Sequence, residues 1–366
     1  MDIRDAAKLF RAWSAHEGMF AGDQVFPTPS AAEVALITGI TPQGRDTLRA
    51  KQIQAVGVNE ADEVVIAYFV RSAKISQKAL ALLPSAVDGY PITYAQGMVE
   101  AVDTKAAEPF GTPYFLRQVG QGQFYTCGSS ISVGNVCEAG TLGAIVKDGA
   151  GKLFGISNNH VSGSCSQAPI GMPIVAPGIA DVGANNHPPF TIGFHAGALP
   201  LLTGDVALVD YKKNSDFAYF EINDPAKISS FQQDEYDTPA SILPIAGGME
   251  VMKVGRTTGL KRGKVVSELL GPFPIPYSSE SYGFSGTVYF DSLYIVDGIN
   301  SERFSEGGDS GSLVVHKDAA GDLHAVGLML AGLSSSNASG GSFTLVLPIE
   351  PILASLGMTL VSGLNT

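Results

Sequence analysis

The stretch SEGGDSGSLVV, Ser305 to Val315, sets an acid and a serine inside a run of glycines, directly before an apolar run. Glycine lets a backbone take positive φ or come close to another atom. Leu313, Val314 and Val315 read as a buried strand. Ser310 is therefore expected on a tight turn at the edge of a sheet, its hydroxyl beside backbone N–H groups. The same letters also spell an ordinary hairpin turn, so the rest of the chain has to decide between the two.

Working outward, the composition favours many short strands. The 366 residues include 43 Gly and 21 Pro, with 45% hydrophobic and 16% charged residues. That balance builds cores and turns rather than disorder or a helical bundle. The length suits roughly two or three domains. The net charge of −12 argues against nucleic acid and against an anionic membrane surface as partners. No apolar run is long enough to span a bilayer, and MDIRDAAKLFRAW at the start lacks an apolar secretory core. Cys127, Cys137 and Cys165 cannot form a disulfide framework. Free thiols in a reducing cytoplasm are the simpler expectation.

Along the chain, residues 4–17 carry Ala7, Phe10 and Trp13 at helical spacing, and a second helix is expected over about Ser30 to Thr38. IQAVGV, EVVIAYFV, SQKALALLPSAV and YPITYAQG then read β-β-α-β, an α+β module over 1–115 that ends near EPFGTPYF. From residue 116 short strands alternate with Gly-rich turns, among them KDGAGK as a hairpin turn. The class expected is mainly β, a sandwich or barrel, closed by a C-terminal helix in IEPILASLGM.

A serine hydroxyl needs a base to take its proton and a carboxylate to orient that base. Of six histidines, His160 stands out in FGISNNHVSGSC, at the end of an expected strand. Two acids precede strands in similar settings: Asp216 in NSDFAYFEINDPA and Asp205 in TGDVALVDY. The residues alone leave both open. No His/Cys spacing suggests zinc, so no metal is expected, and no cofactor. Arg256 in GRTTG reads as a structural β-turn, with a buried acid as an open alternative partner.

ISNNHV, NSDFAYFEINDPA and GGDSGSLV, in that order, resemble the His, Asp and Ser segments of chymotrypsin/trypsin-like serine peptidases. AGTLGAIV, SNNHV and KVGRTTGLKRGKV are similar to an intracellular bacterial branch related to the plant Narrow Leaf proteins. The resemblance implies a chymotrypsin-like double β-barrel over 116–366, with barrels at about 116–235 and 236–348, after the α+β module. It implies His160 as general base, Asp216 as orienting acid and Ser310 as nucleophile, with the N–H groups of Gly308 and Ser310 as oxyanion hole. It also implies that Asp309 is buried and holds the loop in shape, by a partner the sequence does not name. Phe304, six positions before the serine, would floor an apolar specificity pocket, unless the alignment slips and Glu302 or Glu306 faces it. Ala331 and Gly332, in LMLAGLSSS, would line the strand that pairs with substrate.

The implied function is a serine endopeptidase acting on a protein or peptide substrate, with a homo-oligomer left open. A silent peptide-binding scaffold and a non-peptide acyl hydrolase are the alternatives. GGDSGS does not fit the G-x-S-x-G elbow of common esterases, because Ser312 stands where the second glycine belongs.

Overall fold

The computed structural model describes residues 1–21, 26–70, 75–99, 101–102, 107–183 and 188–366. The helix Ile3–His16 forms where the apolar stripe puts it. Asp2 caps it by accepting from the Asp5 N–H, and Ala6, Ala7, Phe10 and Trp13 bury one face. The second expected helix shrinks to Ala31–Val34, where Ser30 and Glu33 make a reciprocal capping box. It ends because Ile37–Thr38 turns into a strand pairing with Ala86–Val87.

The β-β-α-β order is present as Ile53–Asn59, Val64–Phe69, the capped turn of helix Gln77–Leu80, and Tyr90–Gln96 lying parallel to Val64–Phe69. This sheet does not stop at the expected boundary near Pro113. Gly57 and Val58 pair with Leu269 and Glu268, so the N-terminal strands continue into the sheet of the C-terminal half. That pairing covers backbone groups an edge strand would otherwise leave open, and nothing local in the sequence announces it.

The remainder is built from curled sheets with two separate interiors. In the first, an eight-stranded sheet and a four-stranded sheet enclose Ile131, Leu142, Ile145, Ile174 and Phe220. In the second, Glu250–Gly255, Gly259–Ser279, Phe284–Gly298, Leu313–Lys317, Leu323–Ser334 and Ser342–Pro348 enclose Val265, Val296, Phe304, Val314 and Val326. After the helix Glu350–Leu356 the chain crosses back, and Thr359–Leu360 pairs with Ala144–Lys147 of the first unit. This is the mainly β, double-barrel class expected.

The long hairpin of Gly259–Ser279 and Phe284–Gly298 reaches well past what the sequence suggests. LLGPFPIPYSS looks like a loop because proline removes a ladder donor. A register shift between Leu270 and Phe273 absorbs the irregularity. Beyond it Phe273, Ile275 and Tyr277 alternate inward while the prolines take the less buried face. The hairpin thus carries Tyr277 to the junction of the two units.

Candidate active site

The strand Leu153–Ser157 ends in a single helical turn, Asn159–Ser162, that delivers His160. The paired asparagines explain why the turn holds. The Asn158 side-chain amide donates to the Asp216 carbonyl at 2.8 Å, and that of Asn159 to the Leu199 carbonyl at 3.0 Å. Asp216, fully buried, grips His160 twice. Its Oδ1 accepts from the His160 backbone N–H at 2.9 Å, and its Oδ2 lies 2.5 Å from the ring Nδ1. A carboxylate facing Nδ1 makes that nitrogen the donor and leaves the lone pair on Nε2. A third donor reaches the same carboxylate: the Tyr277 phenol, 2.9 Å from Oδ2. Asp205 does none of this. It is exposed and closes its own turn by accepting from the Ala207 N–H at 2.9 Å.

Ser310 sits on the opposite unit, on a turn whose glycines are needed. Gly311 has φ +90°, and a Cβ there would meet the Ser157 Oγ at 2.2 Å. The Ser310 carbonyl accepts from the Thr141 N–H at 2.9 Å, and the Thr141 hydroxyl donates to the Gly308 carbonyl at 2.9 Å. Within the loop the N–H groups of Asp309, Gly311 and Ser312 are bonded, whereas among the described residues those of Gly308 and Ser310 have no backbone acceptor. The Ser310 hydroxyl donates to the Leu330 carbonyl at 3.3 Å. His160, Gly308 and Ser310 line one small cavity between the units.

The loop's shape is held through Asp309, which has no exposure. Its Oδ2 takes the Lys253 ammonium at 2.8 Å and the Thr258 hydroxyl at 2.7 Å, while its Oδ1 takes the N–H groups of Thr257 and Thr258. Lys253 is equally buried; burial pulls its pKa down and Asp309 opposes that pull. GRTTG is thus more than a bare turn, since it donates to Asp309. Arg256 forks onto Asp181 through Nε at 2.7 Å and Nη2, and its Nη1 donates to the Ala107 carbonyl. Ala107 in turn donates to the Gly307 carbonyl at 3.0 Å. The last stretch of the α+β module, at Ala107, therefore props the peptide next to Gly308.

A second cavity, about 70 Å³, adjoins Ser310 and is lined by Ser305, Glu306, Ala331 and Gly332. Phe304 is not part of it, which corrects the expected apolar floor. Its ring is fully buried in the second interior, against Gly263, where a Cβ would come within 2.8 Å of its Cδ2. Arg303 and Ser305, its neighbours, line the cavity instead. The slip to Glu306 comes nearer the mark, although Arg303 pairs with that carboxylate at 3.0 Å.

The strand Leu323–Ser334 is partly occupied already. Met98 and Val99 pair antiparallel with Ser334 and Leu333, and Met329 exchanges bonds with Gly311 and Ser312. Among the described residues this leaves the edge open only at Leu330, Ala331 and Gly332.

All three cysteines are free, Cys127 and Cys165 being buried and Cys137 exposed. Burial pushes the Cys127 thiol up to about 12 and raises that of Cys165 as well. Among the described residues no group of His, Cys, Asp and Glu is arranged to hold a metal, and no helix is long and apolar enough to cross a membrane.

Comparison with protein families finds no match, and none is found among curated proteins. Solved structures do align. Thermobifida fusca protease A is 20% identical, covers 65% of this chain and 98% of its own, with a TM-score of 0.40. A Nocardiopsis protease is 17% identical over 64% of this chain and 97% of its own, at 0.40. The chymotrypsin of Cellulomonas bogoriensis is 20% identical over 65% and 98%, at 0.39. Likeness at this level says nothing of activity.

Lys253, Thr141 and Tyr277 were not singled out from the sequence. Lys253 had one available signal: a lysine between apolar neighbours on the inward face of the strand Glu250–Gly255 needs a buried acid.

Proposed function

We propose that this chain is a serine endopeptidase of chymotrypsin-like type. The observation that carries the reading is the double grip of Asp216 on His160, with His160 and Ser310 on one cavity. In this reading His160 Nε2 takes the Ser310 proton as Oγ attacks the peptide carbonyl. As it reacts, the hydroxyl leaves the Leu330 carbonyl and donates to the imidazole. The oxyanion forms against the N–H groups of Gly308 and Ser310, where each preorganised donor contributes about 2.7–4 kcal/mol. The C–N bond then breaks, His160 returns the proton to the leaving amine, and water, activated by His160, clears the acyl-serine. Asp216 keeps the imidazole in the right tautomer throughout.

The small cavity beside Ser310 supports cleavage after small side chains, and the open edge at Leu330–Gly332 supports binding of substrate as an added strand. The resemblance to the Narrow Leaf-related bacterial branch and a cytoplasmic setting remain part of this proposal; the free thiols support the latter.

A fluorophosphonate probe tests it on the full chain. Labelling is expected in the native protein and not in Ser310→Ala; a native protein that resists labelling is a silent scaffold. Turnover of esters with no cleavage of any peptide in a library would move the reading to a non-peptide acyl hydrolase. Efficient cleavage only after Arg, Lys or large aromatic residues would contradict the small-residue preference.

A further inference from the structure

Tyr277 lies in the proline-rich stretch of the long hairpin, outside both segments that bring His160 and Ser310. Its side chain is fully buried. Its ring and the His160 imidazole pack edge to face, with centroids 6.1 Å apart at 64°, and Phe290 packs 6.1 Å away. A buried phenol needs a partner, and this one has taken the carboxylate oxygen that also faces the His160 ring, at 2.9 Å.

We infer that Tyr277 is a positioning residue of the same machinery, its phenol fixing the Asp216 oxygen that receives the His160 Nδ1–H and moderating that oxygen's basicity. The inference rests on the peptidase reading above. Asp216 Oδ2 is shared by two donors while Oδ1 has the His160 backbone N–H. A hydrogen bond to the charged form of a carboxylate favours that form and lowers its basicity. Without the phenol, Oδ2 keeps one donor in a site closed to water, becomes more basic and stabilises the imidazolium more strongly. The phenol stays neutral, because burial first and the neighbouring Asp216 second raise its pKa far above the usual range. The other ionisable groups facing this spot are Cys165, from the loop after His160, and Glu138, across the cavity. Cys165 is held neutral by burial.

The test is the pH profile of kcat/KM in full-length Tyr277→Phe, with Phe290→Leu as a packing control that leaves the phenol in place. The expected result is an acid limb moved to higher pH by about half a unit to one unit, with kcat on the plateau lowered only through lost positioning of the ring. KM should stay within about twofold. Site-specific replacement of Tyr277 by a ring-fluorinated tyrosine strengthens the donor without emptying the site, and should move the limb the other way. An unchanged limb in both variants, or the same shift in Phe290→Leu, overturns the inference. If the native protein takes no fluorophosphonate on Ser310, the peptidase reading itself fails, and this proposal with it.

Discussion

Lys253→Met removes the only cation that reaches Asp309 among its described partners, in a place neither group shares with water. Breaking a fully buried pair by deleting one side costs about 3–5 kcal/mol, because the survivor is left charged and desolvated. Here Asp309 retains the N–H groups of Thr257, Thr258 and Glu306 and the Thr258 hydroxyl. The cost should therefore fall at the low end, about 3 kcal/mol. Unfolding entropy of about 2.1 cal/mol/K per residue, over 366 residues, converts this to a drop of about 4 °C in melting midpoint. Asp309 is flanked by Gly308 and Ser310, so labelling of Ser310 should slow in the same variant. A double-mutant cycle with Asp309→Asn separates pairing from packing. Melting of the four proteins should give a coupling of about 2 kcal/mol, with the double variant less damaged than the two single costs combined. If the single costs simply add within about 0.5 kcal/mol, Lys253 is not what holds the loop.

Two further outcomes follow from the geometry. His195 is buried, and desolvation holds its pKa below the ordinary 6.5; it is neutral in the fold and takes a proton on unfolding in acid. Stability should thus be full above about pH 6.5 and fall as pH drops below it, and His195→Gln should flatten that fall in denaturant titrations at pH 7.5 and 5.5, whereas an unflattened curve would clear His195 of the effect. Under the proposed peptidase function, because Met98 and Val99 already pair with Ser334 and Leu333, peptides should gain nothing in kcat/KM beyond about three residues before the scissile bond, one for each open position of the edge. Val99→Pro, which weakens the pairing, should extend that limit, and a native protein that keeps improving with longer peptides would show that the segment does not restrict the edge.

Much of the site was legible because its parts are local. GGDSGS needs glycine at Gly311 for a turn that packs on Ser157, and SNNHV carries its own hydrogen-bonding side chains. Turn chemistry and strand alternation are written in neighbouring residues, so Ser310 and His160 could be found by reading along the chain. Their partners are not neighbours. Lys253 stands out among its apolar neighbours, but nothing local names Asp309 as its acid, and Tyr277 hides among prolines that read as loop. Phe304 shows the converse error: a position counted back from the serine gives the right loop but not which way the side chain points. The alternation there turns Arg303 and Ser305 to the cavity and Phe304 to the interior.

Sequence settled the class of fold, the turn at Ser310 and the histidine at the strand end, since propensity, glycine conformation and period-two burial act over a few residues. Tertiary structure set Asp216 against His160 and left Asp205 on the surface, supplied Lys253 and Tyr277, and ran the N-terminal strands into the C-terminal sheet. Those outcomes depend on which buried charges and strand edges meet after the chain has closed, and such meetings leave no local mark.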